Sequence, residues 1–149
     1  MTWRDLDIYL EVETISESAH FSLGEKINAA LHPVKMSFRN ELLGKTKGLP
    51  SGLYWGVYLG NERAGAWKID IWMVNTEECR RLLKYCSDIK RRLTKDYRRI
   101  ILEIKSQCWQ DPNYRKTYTS SDIYDAVLEH NVCSLSDFET YIKSKNENP

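Results

Sequence analysis

The sequence predicts an α+β fold, a β-sheet with packed helices and a helical C-terminal region. Three observations carry this. Arg4-Asp5-Leu6-Asp7-Ile8-Tyr9-Leu10-Glu11-Val12 alternates polar and apolar side chains with the period of two that marks a half-buried strand. Residues 34–39 alternate again, 53–59 is aromatic-rich, and 67–74 has the same texture as the first strand. Beyond Asn75 the apolar residues recur at spacings of three and four, the mark of helices buried on one side.

In order along the chain, the strand at 4–12 puts Leu6, Ile8, Leu10 and Val12 on a buried face, and Asp5 and Asp7 on the opposite one. Residues 13–21 read as a polar connection. Ser22-Leu23-Gly24-Glu25 has the form of a capping box and predicts a helix over 23–31, stopped by Pro33. Residues 34–39 form the next strand. The segment 40–52 holds Gly44, Gly48, Pro50 and Gly52 and predicts a flexible loop, its Lys45 and Lys47 solvated rather than bound to phosphate. Strands at 53–59 and 67–74, joined by the turn 60–65, predict a hairpin. On the second of these, Lys68, Asp70 and Trp72 share a face.

Asn75 and Glu78 open a helical region reaching about Cys108, with a break near 87–88 or 94. Leu82, Leu83, Cys86, Ile89, Leu93, Tyr97, Ile100, Ile101 and Ile104 carry its apolar periodicity, and arginines and lysines cover the rest as a solvated face. Thr119 or Ser120 caps a further helix with Ile123, Tyr124, Val127 and Leu128 inward. Ser134 starts a short last one, and the polar tail 143–149 is expected to fray.

A chain of 149 residues predicts one domain with one core. We expect residues 1–75 as an α/β core, with 76–149 a helical region packed on it as one unit. Five Trp and nine Tyr argue against disorder. A net charge of +1 gives no overall pull toward nucleic acid or membrane, neither of which is an expected partner. No apolar run approaches the roughly 20 residues of a membrane span, and no signal-peptide core opens the chain. The expected location is cytoplasmic. Cys79, Cys86, Cys108 and Cys133 show no C-x-x-C spacing and read as buried reduced thiols. His20, His32 and His130 are isolated and read as surface or loop residues.

Asp5 and Asp7 carry the candidate chemistry. Two residues apart on a strand, they project roughly 6.5–7 Å from each other, a span a divalent cation bridges when the side chains converge. The plainer alternative is two solvated acids. Asp70 adds a third carboxylate in mid-strand, against the low β propensity of Asp, which points to a functional reason. Two acids on one strand and a third on a neighbour suit two-metal phosphoryl transfer.

Asp5-Leu6-Asp7, followed by apolar strand residues, a helix, and strands ending in Lys68-Ile69-Asp70-Ile71-Trp72, resembles the nucleotidyltransferase superfamily over about residues 4–75. The resemblance implies a mixed sheet. It implies that Asp5 and Asp7 hold Mg2+ (or Mn2+) against a nucleoside triphosphate. Asp70 would complete the metal site and help activate the hydroxyl of an unknown acceptor. Lys68 would contact a phosphate or pair with Asp70.

The family also places a Gly-Ser turn shortly before its Asp pair, and here only Met1-Thr2-Trp3-Arg4 precede Asp5. The expectation divides three ways: a truncated start, a second chain supplying the turn, or a domain that kept the fold without catalysis. An open sheet edge would favour a homodimer or a partner chain. The competing function is a non-catalytic binding or regulatory, antitoxin-like module. The weakest is a nucleic-acid binder sensitive to Arg91, Arg92, Arg98 and Arg99.

Overall fold

The four strand-like stretches fold as β1 (Asp5–Val12), β2 (Lys35–Asn40), β3 (Gly52–Tyr58) and β4 (Lys68–Asn75) in a computed structural model. Its described residues are 4–114 and 116–147. The strands form one mixed four-stranded sheet in the order β1-β4-β3-β2. β2 and β3, and then β3 and β4, pair antiparallel as consecutive hairpins. β1 instead pairs parallel with β4, with Asp5 beside Lys68 and Asp7 beside Asp70. A parallel neighbour requires a crossover, here supplied by the whole span from α1 (Glu17–Leu31) through β3. The remaining helices are α2 (Glu41–Gly44), α3 (Thr76–Arg92), α4 (Lys95–Cys108), α5 (Ser120–His130) and α6 (Leu135–Glu147). The fold is α+β.

Residues 4–85 and 86–147 form two units, the boundary falling within α3. In the first, α1 lies on one face of the sheet. His20 stacks on Trp55 at 5.7 Å between ring centroids, and Phe21 meets the same indole edge-on at 5.5 Å. Gly24 permits the approach, since a Cβ there would stand 2.7 Å from the Trp55 ring. The indole Nε1 donates to the His20 carbonyl at 2.9 Å.

Several expectations change here. α1 begins at Glu17 rather than Leu23, because the Ser16 hydroxyl accepts from the Ala19 amide at 3.2 Å and caps the helix upstream. Ser22 lies inside the helix. His20, expected on the surface, is fully buried. The apolar face of β1 is only half closed, with Leu6 45% exposed, because β1 is an outermost strand and α1 seats on β2 and β3.

The stretch read as a flexible loop holds a helical turn at 41–44, organised by Glu41. This carboxylate is 4% exposed, accepts from the Thr46 amide at 2.9 Å and pairs with Arg39 Nε at 2.8 Å.

In the second unit, Ile100, Ile101, Ile104 and Cys108 of α4, Ile123, Ala126 and Val127 of α5, and Phe138 of α6 form a closed apolar cluster with Tyr118 and Val132. α3 and α4 break at Thr94, whose hydroxyl accepts from the Tyr97 amide at 3.1 Å. Thr119 and Asp122 form the capping box of α5. α6 continues to Glu147, past the point where fraying was expected, and Lys145 ties it to Asp122 at 2.7 Å. Cys79 and Cys108 are buried thiols as expected, but Cys86 and Cys133 are exposed. Among the described residues no helix is long and apolar enough to cross a membrane.

Candidate functional site

The second face of the sheet is built in transverse rows set by register. One row runs Asp5, Lys68, Tyr58, Lys35 across β1, β4, β3 and β2. The next runs Asp7, Asp70, Gly56, Ser37, and the third Tyr9, Trp72, Tyr54, Arg39. Strand alternation then dictates that all these side chains point to one side. Tyr54 and Trp72 of the third row, with Val74, pack with Cys79 and Leu82 of α3. Burial pushes the Cys79 thiol above its ordinary pKa, with Glu11 adding to the effect, so it is a poor nucleophile.

Asp70 sits at the centre, 9% exposed. The Tyr54 hydroxyl donates to its Oδ1 at 2.5 Å, and Lys68 Nζ donates to its Oδ2 at 2.5 Å. Burial, with the Asp70 carboxylate beside it, raises the Tyr54 phenol far above its ordinary pKa, so this hydroxyl is the donor. Lys68 is itself buried, at 6% exposed, and its ammonium stands 3.9 Å from Asp5 Oδ1. Its charge therefore lies between two carboxylates, which is the arrangement a buried lysine needs.

The register brings Asp5, Asp7 and Asp70 to adjacent parallel strands on one face, with Asp7 and Asp70 as direct cross-strand partners. Lys68 joins Asp70 and Asp5, while Asp7 lies toward solvent. Among the described residues, no three His, Cys, Asp or Glu side chains are gathered closely enough to hold a metal ion.

Sequence reasoning passed over Tyr54, Gly56, Tyr58 and Lys35. The aromatic-rich stretch 53–59 reads as a strand without a facing assignment for Tyr54 or Tyr58. Their place beside Asp70 and Lys68 came from the register of β3 on β4.

The arginines weighed as a nucleic-acid surface are largely neutralised. Arg91 pairs with Asp88 at 3.1 Å, Arg92 with Glu129, and Arg99 with Glu103 at 3.0 Å.

No protein-family model, no curated protein sequence and no solved structure matches this chain.

Proposed function

We propose that the chain is a nucleotidyltransferase-like protein whose acidic sheet face serves metal-dependent transfer of a nucleoside monophosphate from a nucleoside triphosphate to an acceptor. The observation that carries this is the register of β1 on β4, which sets Asp7 beside Asp70 and Asp5 one step along the same face. The donor set is hard carboxylate oxygen, the chemistry magnesium and manganese prefer. Asp5 and Asp70 already flank a cation, the Lys68 ammonium.

Asp5, Asp7 and Asp70 would hold Mg2+ or Mn2+, which in such a site supplies neutralisation of phosphate charge and in-line positioning. The chain's own part is orientation. Tyr54 and Lys68 fix the two oxygens of Asp70, and a lysine drawn off the carboxylates is within the site to meet a phosphate oxygen.

A second reading, a non-catalytic binding module, is favoured by one observation. Lys68 supplies a positive charge between Asp5 and Asp70 from within the chain, so the Asp70 carboxylate has a cation partner without an ion. The two separate in a thermal-shift panel of ATP, GTP, CTP and UTP, each with and without magnesium or manganese. Saturable stabilisation that requires metal and nucleotide together, and that disappears in Asp7→Asn, supports the transferase reading. Asp7 is exposed, and an unchanged circular-dichroism spectrum of the variant checks that the fold is kept. The absence of any shift leaves the binding-module reading standing.

A further inference from the structure

We infer that Lys35 and Tyr58 form an anion-binding subsite on this same face, one that takes the phosphate end of a nucleotide. The inference rests on the nucleotide reading above and extends it to two residues outside the acid set.

Lys35 ends the row that begins at Asp5, with Lys68 and Tyr58 between them. Both lysines lean on one aromatic ring. Lys35 Nζ lies 5.0 Å from the Tyr58 ring centroid and Lys68 Nζ lies 6.0 Å from it. Contact with an aromatic face favours each ammonium, but gathering two like charges about a single ring opposes it.

The two charges are not in the same position. Lys68 is answered by Asp70 at 2.5 Å and Asp5 at 3.9 Å. Lys35 is exposed and makes no ion pair among the described residues. Arg39, the other cation on β2, is answered by Glu41 at 2.8 Å. Among the described residues, Lys35 is thus the cation of this face whose charge remains available.

The face is polarised from acids on β1 to an open cation on β2. Neighbouring strands lie about 4.8 Å apart, so the row spans about 14 Å of backbone. Lys35 shortens that distance by lying over Tyr58 in the direction of the acids. A ligand matching both ends is elongated and polyanionic, with phosphates to meet an ammonium and, at the acid end, a cation to share. A nucleoside triphosphate has that character, and its flat base is not required for contact with Lys35.

The test is titration calorimetry of the full chain with magnesium and three probes, namely ATP, inorganic tripolyphosphate and adenosine. Lys35→Gln should weaken ATP and tripolyphosphate by about tenfold, the size of one charge-assisted contact, and Lys35→Arg should recover most of it. Any binding of adenosine should be unchanged. Tyr58→Leu, which removes the ring that positions the lysine, should weaken the two phosphate probes in the same sense.

Asp7→Asn, run in parallel, separates this inference from the reading it rests on. Loss of binding in Asp7→Asn with none in Lys35→Gln overturns the subsite and leaves the acid site intact. Loss in Lys35→Gln with none in Asp7→Asn establishes the subsite and removes the metal site. A wild-type chain that binds neither ATP nor tripolyphosphate overturns both.

Discussion

Tyr54 reaches Asp70 across Gly56. The two residues lie on neighbouring strands in adjacent rows, and the tyrosine hydroxyl meets Oδ1 of Asp70 at 2.5 Å. Gly56 is the direct register partner of Asp70. A Cβ on it would collide with the Tyr54 hydroxyl and stand 2.8 Å from Ser37 Oγ. The glycine is there for space, since its φ is not positive.

Gly56→Ala should therefore destabilise the sheet unit by about 1–3 kcal/mol, the usual scale of overpacking. Tyr54→Phe removes the hydrogen bond and the closest clash partner together and should cost about 1–3 kcal/mol by leaving a buried carboxylate oxygen short of a donor. The double variant should be somewhat less destabilised than the sum of the two, because the closest of the clashes, with the hydroxyl, is gone, while the Tyr54 ring carbon at 2.9 Å and Ser37 Oγ at 2.8 Å still crowd the methyl group. Chemical denaturation of the three variants reads this directly. Strict additivity would mean that the hydroxyl does not occupy the space over Gly56.

Lys68→Met strands two carboxylates on a face that had one cation between them. The lysine and Asp70 side chains are 8% and 13% exposed, so water screens little of the loss. The expected cost is roughly 3–5 kcal/mol. Adding Asp70→Asn, which removes the stranded charge, should return a large part of it. A Lys68→Met loss below about 1 kcal/mol would place the ion pair in the weak, solvent-screened class instead.

His20 sets a pH dependence. Its ring is fully buried against Trp55, and neither ring nitrogen makes a well-formed hydrogen bond, the Tyr54 backbone being its polar neighbour. Burial lowers its pKa below the ordinary 6.5. The unfolded chain takes up a proton near that ordinary value while the folded chain does not, so the unfolded state binds more protons and stability rises with pH. Stability from this residue is complete above about pH 6.5 and drains away as pH falls toward the folded value. His20→Phe should flatten the stability profile between about pH 6.5 and 4.5, above the range where carboxylates titrate. An unchanged slope in the variant would assign the acid sensitivity elsewhere.

Glu41 acts at lower pH. The Thr46 amide, and beyond it the Arg39 guanidinium, hold its carboxyl below the usual 4.5. Its contribution is present above about pH 4.5 and is lost as pH falls through the folded value. Glu41→Gln should cost about 1–3 kcal/mol at neutral pH. The gap between variant and wild type should then close in acid, as paired denaturation curves at pH 7 and pH 3 would show.

Much of this architecture is legible in the residues themselves. Alternation located β1, β2 and β4, aromatic content located β3, and apolar spacings of three and four located the helices beyond Asn75. The start of α1 was hidden because Ser16 and Ser22 both offer a cap, and only packing of His20 and Gly24 on Trp55 selects the earlier one. Glu41 lay among glycines and lysines that read as loop, and its burial depends on Arg39 and Thr46 folding around it.

At the site, the alternation put Asp5 and Asp7 on one face, and Asp70 and Lys68 together on another strand. That β1 and β4 are neighbours, in the register that sets Asp7 beside Asp70, is a long-range choice. The partnership of Tyr54 with Asp70 follows from a second register, and no local period encodes it.

The parallel pairing of β1 with β4 also schedules the birth of this sheet. β1 leaves the ribosome before its hydrogen-bonding neighbour, which follows about 60 residues later. At ordinary elongation rates that interval is roughly 3–12 s. During it β2, β3 and then β4 have local partners with which to form hairpins, whereas the acidic strand has its only sheet neighbour among the described residues still to come.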